Sequence, residues 1–220
     1  MQEVFNRLLV GDDDMLKLKK DKLVGQKRLY IALIIVLLIG ILLGLIYPWF
    51  LSLDNKELLT TSIESFFNNV GNDNIDYGVG LKNSFLSNIS YLLGIWFLGI
   101  SIIGLPVIGI LLVLKGFLFG FSISSIISIY QLKGIIGAIT YVFPSQMLSI
   151  VTTVLLTFYA TSFSFKLFRY LFLKENLNFK PIMNKYLKIL GICFLSFSIV
   201  SLMDVYLQPI IMKLFTFFLK

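Results

Sequence analysis

Residues 29–51, LYIALIIVLLIGILLGLIYPWFL, form a 23-residue apolar run with no charge. A helix of that length outreaches a hydrocarbon layer of about 30 Å. Tyr30 stands at one end and Tyr47 and Trp49 at the other, the places an aromatic belt occupies. The run is too long and too far from residue 1 for a cleavable signal, and no small-residue cleavage site follows it, so it reads as a retained span. From Phe85 to Gln131 the only charge is Lys115. One straight helix over that stretch would be about 70 Å long, twice what a bilayer needs. The pattern therefore predicts two spans, about 86–104 and 107–131, divided at Gly104-Leu105-Pro106. Pro106 has no backbone donor there and Gly104 permits a tight turn. Further spans are expected over about 139–163 and 187–208. Pro144 falls where the first of these either kinks or ends a re-entrant segment.

Polar positions complete the pattern. In 52–84, Leu59, Ile63, Phe66, Phe67 and Val70 recur at helical spacing after Asp54-x-x-Glu57, which resembles a capping box. This predicts a short amphipathic helix over 55–70, either resting on the membrane or bundle or presenting Phe66 and Phe67 to a partner. Asn72-Asp73-Asn74 has turn chemistry. After Pro209, Lys213, Thr216 and Lys220 lie at three- and four-residue steps, a pattern that suits an interfacial helix.

Charge sets the topology. Seven Lys/Arg lie in residues 1–28, and Lys27-Arg28 abut the first span. Residues 166–188 carry six Lys/Arg against Glu175 alone, whereas 52–84 hold five acids and two lysines. The positive-inside rule places both basic segments in the cytoplasm, which requires an even number of crossings between them. Two spans on either side of Gly104-Leu105-Pro106 satisfy this; a single kinked one does not. The expected fold is all-α: a polytopic transmembrane helical bundle of about five spans, N-in and C-out. It comprises a cytoplasmic segment 1–28, a membrane domain 29–208 with an outer loop 52–84 and a cytoplasmic basic loop 166–188, and an outer interfacial helix 209–220. Composition agrees, at 57% hydrophobic and 14% charged residues with mean hydropathy +0.89. The net charge of +7 comes from residues that flank apolar spans, so it points to membrane topology and not to nucleic acid. The lone Cys193 can form no internal disulfide.

Small residues recur at every fourth position: Gly40 and Gly44; Gly116, Gly120, Ser124 and Ser128; Thr157 and Thr161. That spacing lets helix backbones approach closely. The third span carries the longest stripe and is expected to be the central packing helix. The stripe serves the bundle of one subunit or, less simply, a seam with a second copy. Lys115 lies deep in that span. It either faces the bundle interior or snorkels along its stem. Asp204 could pair with it only if the helices are offset. The chain has no histidine, which removes His-based metal sites and Ser-His catalysis. It has no P-loop and no GxSxG. No enzyme, cofactor or metal is expected. A membrane scaffold and a small-solute permease or transporter-associated subunit remain, and the scarcity of polar residues along the spans favours the scaffold.

Residues 91–124, YLLGIWFLGISIIGLPVIGILLVLKGFLFGFSIS, resemble the core of the stage II sporulation protein M family. Phe143-Pro144-Ser145-Gln146, SFSFKLFR and YLQPIIMK follow in the family's order, so the similarity covers nearly the whole chain. Wider relatives often have His after the proline, where this chain has Ser145. The resemblance implies a bacterial cytoplasmic-membrane protein of forespore engulfment, at the septum on the mother-cell side. It also implies a role as the polytopic anchor of two peptidoglycan-degrading partners, stage II sporulation proteins D and P.

Overall fold

The structure is a computed structural model and describes residues 25–72, 76–141, 145–174 and 178–219. Among these residues seven helices follow one another: α1 (Gly25–Phe50), α2 (Leu53–Gly71), α3 (Tyr77–Ile100), α4 (Gly104–Tyr141), α5 (Met147–Phe172), α6 (Phe179–Leu202) and α7 (Gln208–Leu219). A π-helical turn, Met203–Leu207, joins α6 to α7 without a break. Five stretches are long and apolar enough to cross a membrane: α1, α3, α4, α5, and α6 with its continuation to Lys213. The chain is thus an all-α polytopic bundle.

The division within 85–131 is real, but it falls earlier than the glycine and proline imply. α3 stops at Ile100, and the turn occupies Ser101, Ile102 and Ile103. Ser101 N–H donates to Leu98 O (3.0 Å), and Gly104 N–H donates to Ser101 O (3.1 Å). Gly104 and Pro106 form the first turn of α4. Proline costs nothing there, because the first N–H groups of a helix have no intrahelical acceptor. Gly104 is required because a Cβ would strike the backbone of Leu98.

Two further starts depart from expectation. α2 begins after Ser52, with Asp54 inside its first turn and no side-chain cap, so Asp54-x-x-Glu57 is not a capping box. The side-chain cap lies instead on α3. Asp76 Oδ1 accepts from Gly78 N–H (3.0 Å) and Val79 N–H (3.1 Å), which starts that helix well before residue 86. The helix also continues through Pro209. A proline ring clashes with the carbonyl four residues back, here Val205, and the π turn around Val205 provides the room.

α4 breaks at Gln131 (φ 50°, ψ −126°). The chain then folds back until Gly134 meets the backbone of Ile126 and Ile127. Pro144 lies outside the described residues, as do residues 1–24, Asp73, Asn74, Glu175 and Lys220.

The small-residue stripes of α1 and α4 face each other. Cβ atoms on Gly40 and Gly44 would strike the backbone at Val113 and Phe117; on Gly116 and Gly120 they would strike it at Leu37 and Ile41. Ser124 ends the seam by donating to Leu45 O at 2.6 Å. Ser128 lies beyond it, exposed. The stripe therefore packs within one subunit. It does not make α4 the central helix. α5 holds that place, with 56% of its apolar window buried against 28% for α4. Ser149, Thr152, Thr153, Thr157, Ala160, Thr161 and Ser164 leave neighbours close on several faces of α5.

The described residues of the two basic segments meet at one end of the bundle. Gln26 of α1, Lys166 of α5 and Lys185 of α6 line one cavity there. Ser164 Oγ donates to Ser101 O (3.1 Å), which ties the α3–α4 turn to the same end. Among the described residues of 166–188, all but Leu173, Lys174 and Asn178 are helical. The opposite end carries α2 and α7, locked through Phe67, Val70 and Met212.

Two outcomes test this architecture. Gly120→Leu should cost about 3 kcal/mol, because backbone and not a movable side chain occupies the space; thermal unfolding in detergent reads the loss. In intact cells, cysteines replacing Lys27 and Lys180 should both resist an impermeant thiol reagent while one replacing Glu57 reacts. Labelling at position 180 from outside would refute the shared cytoplasmic end.

Candidate functional site

An unbroken turn of α3 places Ser84, Asn88 and Tyr91 on one face, at steps of four and three. α6 and its π turn set Ser201 and Asp204 opposite, and α4 brings Lys115 alongside. Ser201 Oγ donates to Phe197 O (3.0 Å). Asn88 Nδ2 donates to Ser201 Oγ (2.9 Å) and, more weakly, to Ser84 Oγ (3.5 Å). Ser84 Oγ donates to Asp204 Oδ2 (3.2 Å). From Asn88 through Ser84 the donors point toward Asp204, which ends the chain. Its Oδ1 is buried without a hydrogen-bond partner among the described residues. The Ser145 hydroxyl lies near the same carboxylate, and its hydrogen bond goes to Gln208 Oε1 at 3.5 Å. Ser145, two residues before α5, is fully buried. The positive end of the α5 backbone dipole therefore lies close to a carboxylate.

Lys115 sits eleven residues into α4, about 16 Å along the axis from the α3–α4 turn. Its ammonium lies 5.5 Å from the centroid of the Tyr91 ring. Tyr91 in turn donates its hydroxyl to Leu111 O (3.1 Å), one turn before Lys115. Lys115 therefore faces the bundle. Asp204 and Lys115 act on each other electrostatically without direct contact. Asp204 lies within the π turn, a feature that residue spacing does not reveal. One positive and one negative group share the interior, so its net charge is near zero where charge is costly.

Hydroxyls continue inward along α5. Thr152 shares a 2.6 Å hydrogen bond with Ser196. Ser149, Thr153 and Thr157, at steps of four, are buried with no partner for their hydroxyl oxygens among the described residues. Residue types alone do not single out this column, because its members are common. Their four-residue repeat is the signal that could have found it. No group of three or more metal-ligating residues occurs among the described residues.

A second feature lies at the end opposite the lysines. A groove of about 270 Å³ runs between α2, α4 and α7, lined by Leu59, Ile63, Phe66, Ser125, Ile126 and Met212 among others. Phe66 is 48% exposed and Phe67 4%. Phe67 turns inward against Val70, Met212 and Tyr130, where it anchors α2. Of the two phenylalanines expected to form a docking face, Phe66 alone reaches the surface.

Five helices among the described residues are long and apolar enough to cross a membrane, and they pack with polar groups between them; this defines a multi-pass helical membrane protein. The family model described as Stage II sporulation protein M matches residues 33–209, and the chain belongs to that family, a sporulation family not known for enzymes. No curated protein and no solved structure matches the chain.

The interior centre predicts a non-additive mutant series. Lys115→Leu should destabilise the protein by about 2 kcal/mol by leaving Asp204 without a counter-charge. The Lys115→Leu/Asp204→Asn double variant should recover more than half of that loss in detergent unfolding. Additive losses would show that the two groups act independently.

Proposed function

We infer that this protein is a non-enzymatic scaffold of the cytoplasmic membrane, which holds peptidoglycan-degrading enzymes in place during forespore engulfment. Family membership supports the sporulation context. The observation that carries the scaffold reading is the α2–α4–α7 groove with Phe66 at its edge. It is apolar, it contains the buried Ser125 Oγ, which has no partner among the described residues, and it lies opposite the lysine-rich end. With the lysines in the cytoplasm, the groove faces the compartment where peptidoglycan is cut. Such a groove fits an apolar helix of a membrane-anchored partner. The partners we assign to it are stage II sporulation proteins D and P, on the resemblance to the stage II sporulation protein M family. The interior centre is then structural and holds α3, α4 and α6 in register beneath the platform formed by α2 and α7.

The hydroxyl column of α5, ending at Asp204, is the feature that would favour a small-solute permease. Flux through proteoliposomes containing this protein alone separates the two readings.

Phe66→Asp should lower recovery of the two hydrolases in affinity capture from sporulating cells about ten-fold, a loss on the scale of one interface anchor. Expression and melting temperature should stay unchanged, because Phe66 is not part of the core. Phe67→Asp is expected to unfold α2 and serves as the contrast. Undiminished recovery with Phe66→Asp would remove the groove from the docking surface.

A further inference from the structure

Between α3 and α6, at the end of α3 that Asp76 caps, a furrow of about 460 Å³ opens on the flank of the bundle. Gly78, Leu81, Lys82 and Phe85 line it from α3, at helical spacings that keep them on one face, and Ser198 and Leu202 line it from α6. From Gly78 to Phe85 it extends about 10 Å along the helix axis. Ring pairs stand at both ends. Tyr77 stacks on Tyr206 at the capped end, with centroids 5.7 Å apart, and Phe85 meets Phe194 edge-on at 6.2 Å at the other. The wall is apolar in effect, because the Ser198 hydroxyl donates to Phe194 O of its own helix at 2.8 Å. Gly78 leaves the mouth wide: a Cβ there would meet only Asp76 Oδ1, at 3.4 Å. Val79, Leu86 and Ile199 beside the furrow are exposed, so it opens toward hydrocarbon. Lys82 is the one charged residue in the lining. It is exposed and has no ion pair or hydrogen bond among the described residues. Asp76, the nearest carboxylate along α3, is not a lining residue, and its Oδ1 is committed to the N–H groups of Gly78 and Val79.

We propose that this furrow holds an acyl chain of one anionic phospholipid, with Lys82 on its phosphodiester. Lys82 lies about one and a half turns from the start of α3, where a lysine stem carries its ammonium to the headgroup layer. A cation beside hydrocarbon, with no counter-charge from its own chain, is satisfied by a lipid phosphate through a charge-assisted hydrogen bond. A zwitterionic headgroup brings its own cation toward the lysine and loses the advantage. A partner's transmembrane helix fits less well. It packs along about 30 Å of hydrocarbon and would have to run past both ring pairs, whereas a flexible chain segment lies between them. Free phosphate satisfies Lys82 but leaves the apolar walls unused. The walls are therefore the feature that selects a lipid over a soluble anion.

Native mass spectrometry of the full chain, offered phosphatidylglycerol and phosphatidylcholine in equal amounts, tests the proposal. In the single-lipid adduct, phosphatidylglycerol should exceed phosphatidylcholine about five-fold, the scale of one lysine near a membrane surface. Lys82→Gln should abolish that preference and Lys82→Arg should keep it. Lys56→Gln, which alters an exposed lysine of α2, should leave it unchanged. Gly78→Leu, which fills the mouth, should lower the adduct with both lipids while the melting temperature is preserved. The proposal fails if Lys82→Gln keeps the preference of the parent. It fails equally if Lys56→Gln lowers the preference to the same extent. Displacement of phosphatidylglycerol by inorganic phosphate, with Gly78→Leu having no effect, would assign Lys82 to a free anion and overturn the lipid. In cells, a photo-crosslinking residue in place of Leu202 should give an adduct of lipid mass. An adduct of protein mass instead would hand the furrow to a partner helix and overturn the proposal.

Discussion

Hydrocarbon offers no hydrogen-bond partner, so polar groups on the spans turn toward the bundle interior or to their own helix backbone. That requirement decides which helix faces meet in this protein. Asp204 turns to Ser84 and Lys115 to the face of Tyr91, while the Ser164 hydroxyl closes the α3–α4 turn. α5 carries the most buried hydroxyls and is consequently the helix the others surround. The apolar residues outside these contacts are left to face lipid, and many of them are exposed on the bundle surface.

Close packing adds the second layer. Along most of the seam between α1 and α4, the helices adhere because glycines let backbone meet backbone. At the lysine-rich end Tyr186 performs a mixed role. Its ring stacks on Phe163 at 4.5 Å, and its hydroxyl donates to Trp96 O at 2.9 Å. Gly99 is indispensable to that arrangement, since a Cβ there would collide with the Tyr186 hydroxyl. The two ends of the bundle therefore differ in kind: one is stapled by rings and lysines, the other carries the α2–α7 platform and an open groove.

The π turn links the two regions. It exists because Pro209 cannot sit in a regular helix without disturbing Val205. Asp204 lies within the π turn, and α7, which continues from it, packs on α2 and α4.

Much of this was legible in the chain itself. Uncharged runs longer than the bilayer is thick leave few alternatives, and lysine placement separates one crossing from two across 85–131. The glycine and serine stripe on α4 identified a close-packed seam, because small side chains let backbones approach. Which helix becomes central was not legible, since threonines on several faces of α5 matter only once neighbours surround them. Nor was the inward turn of Phe67 beside the outward turn of Phe66: adjacent residues on a helix differ by about 100°, and only the position of Met212 decides which is covered. Sequence by itself determined the solvent each segment requires, because transfer energies belong to residues. Tertiary structure alone decided the partner each polar group finds, because hydrogen bonds and charge pairs depend on distances that no spacing along one chain contains.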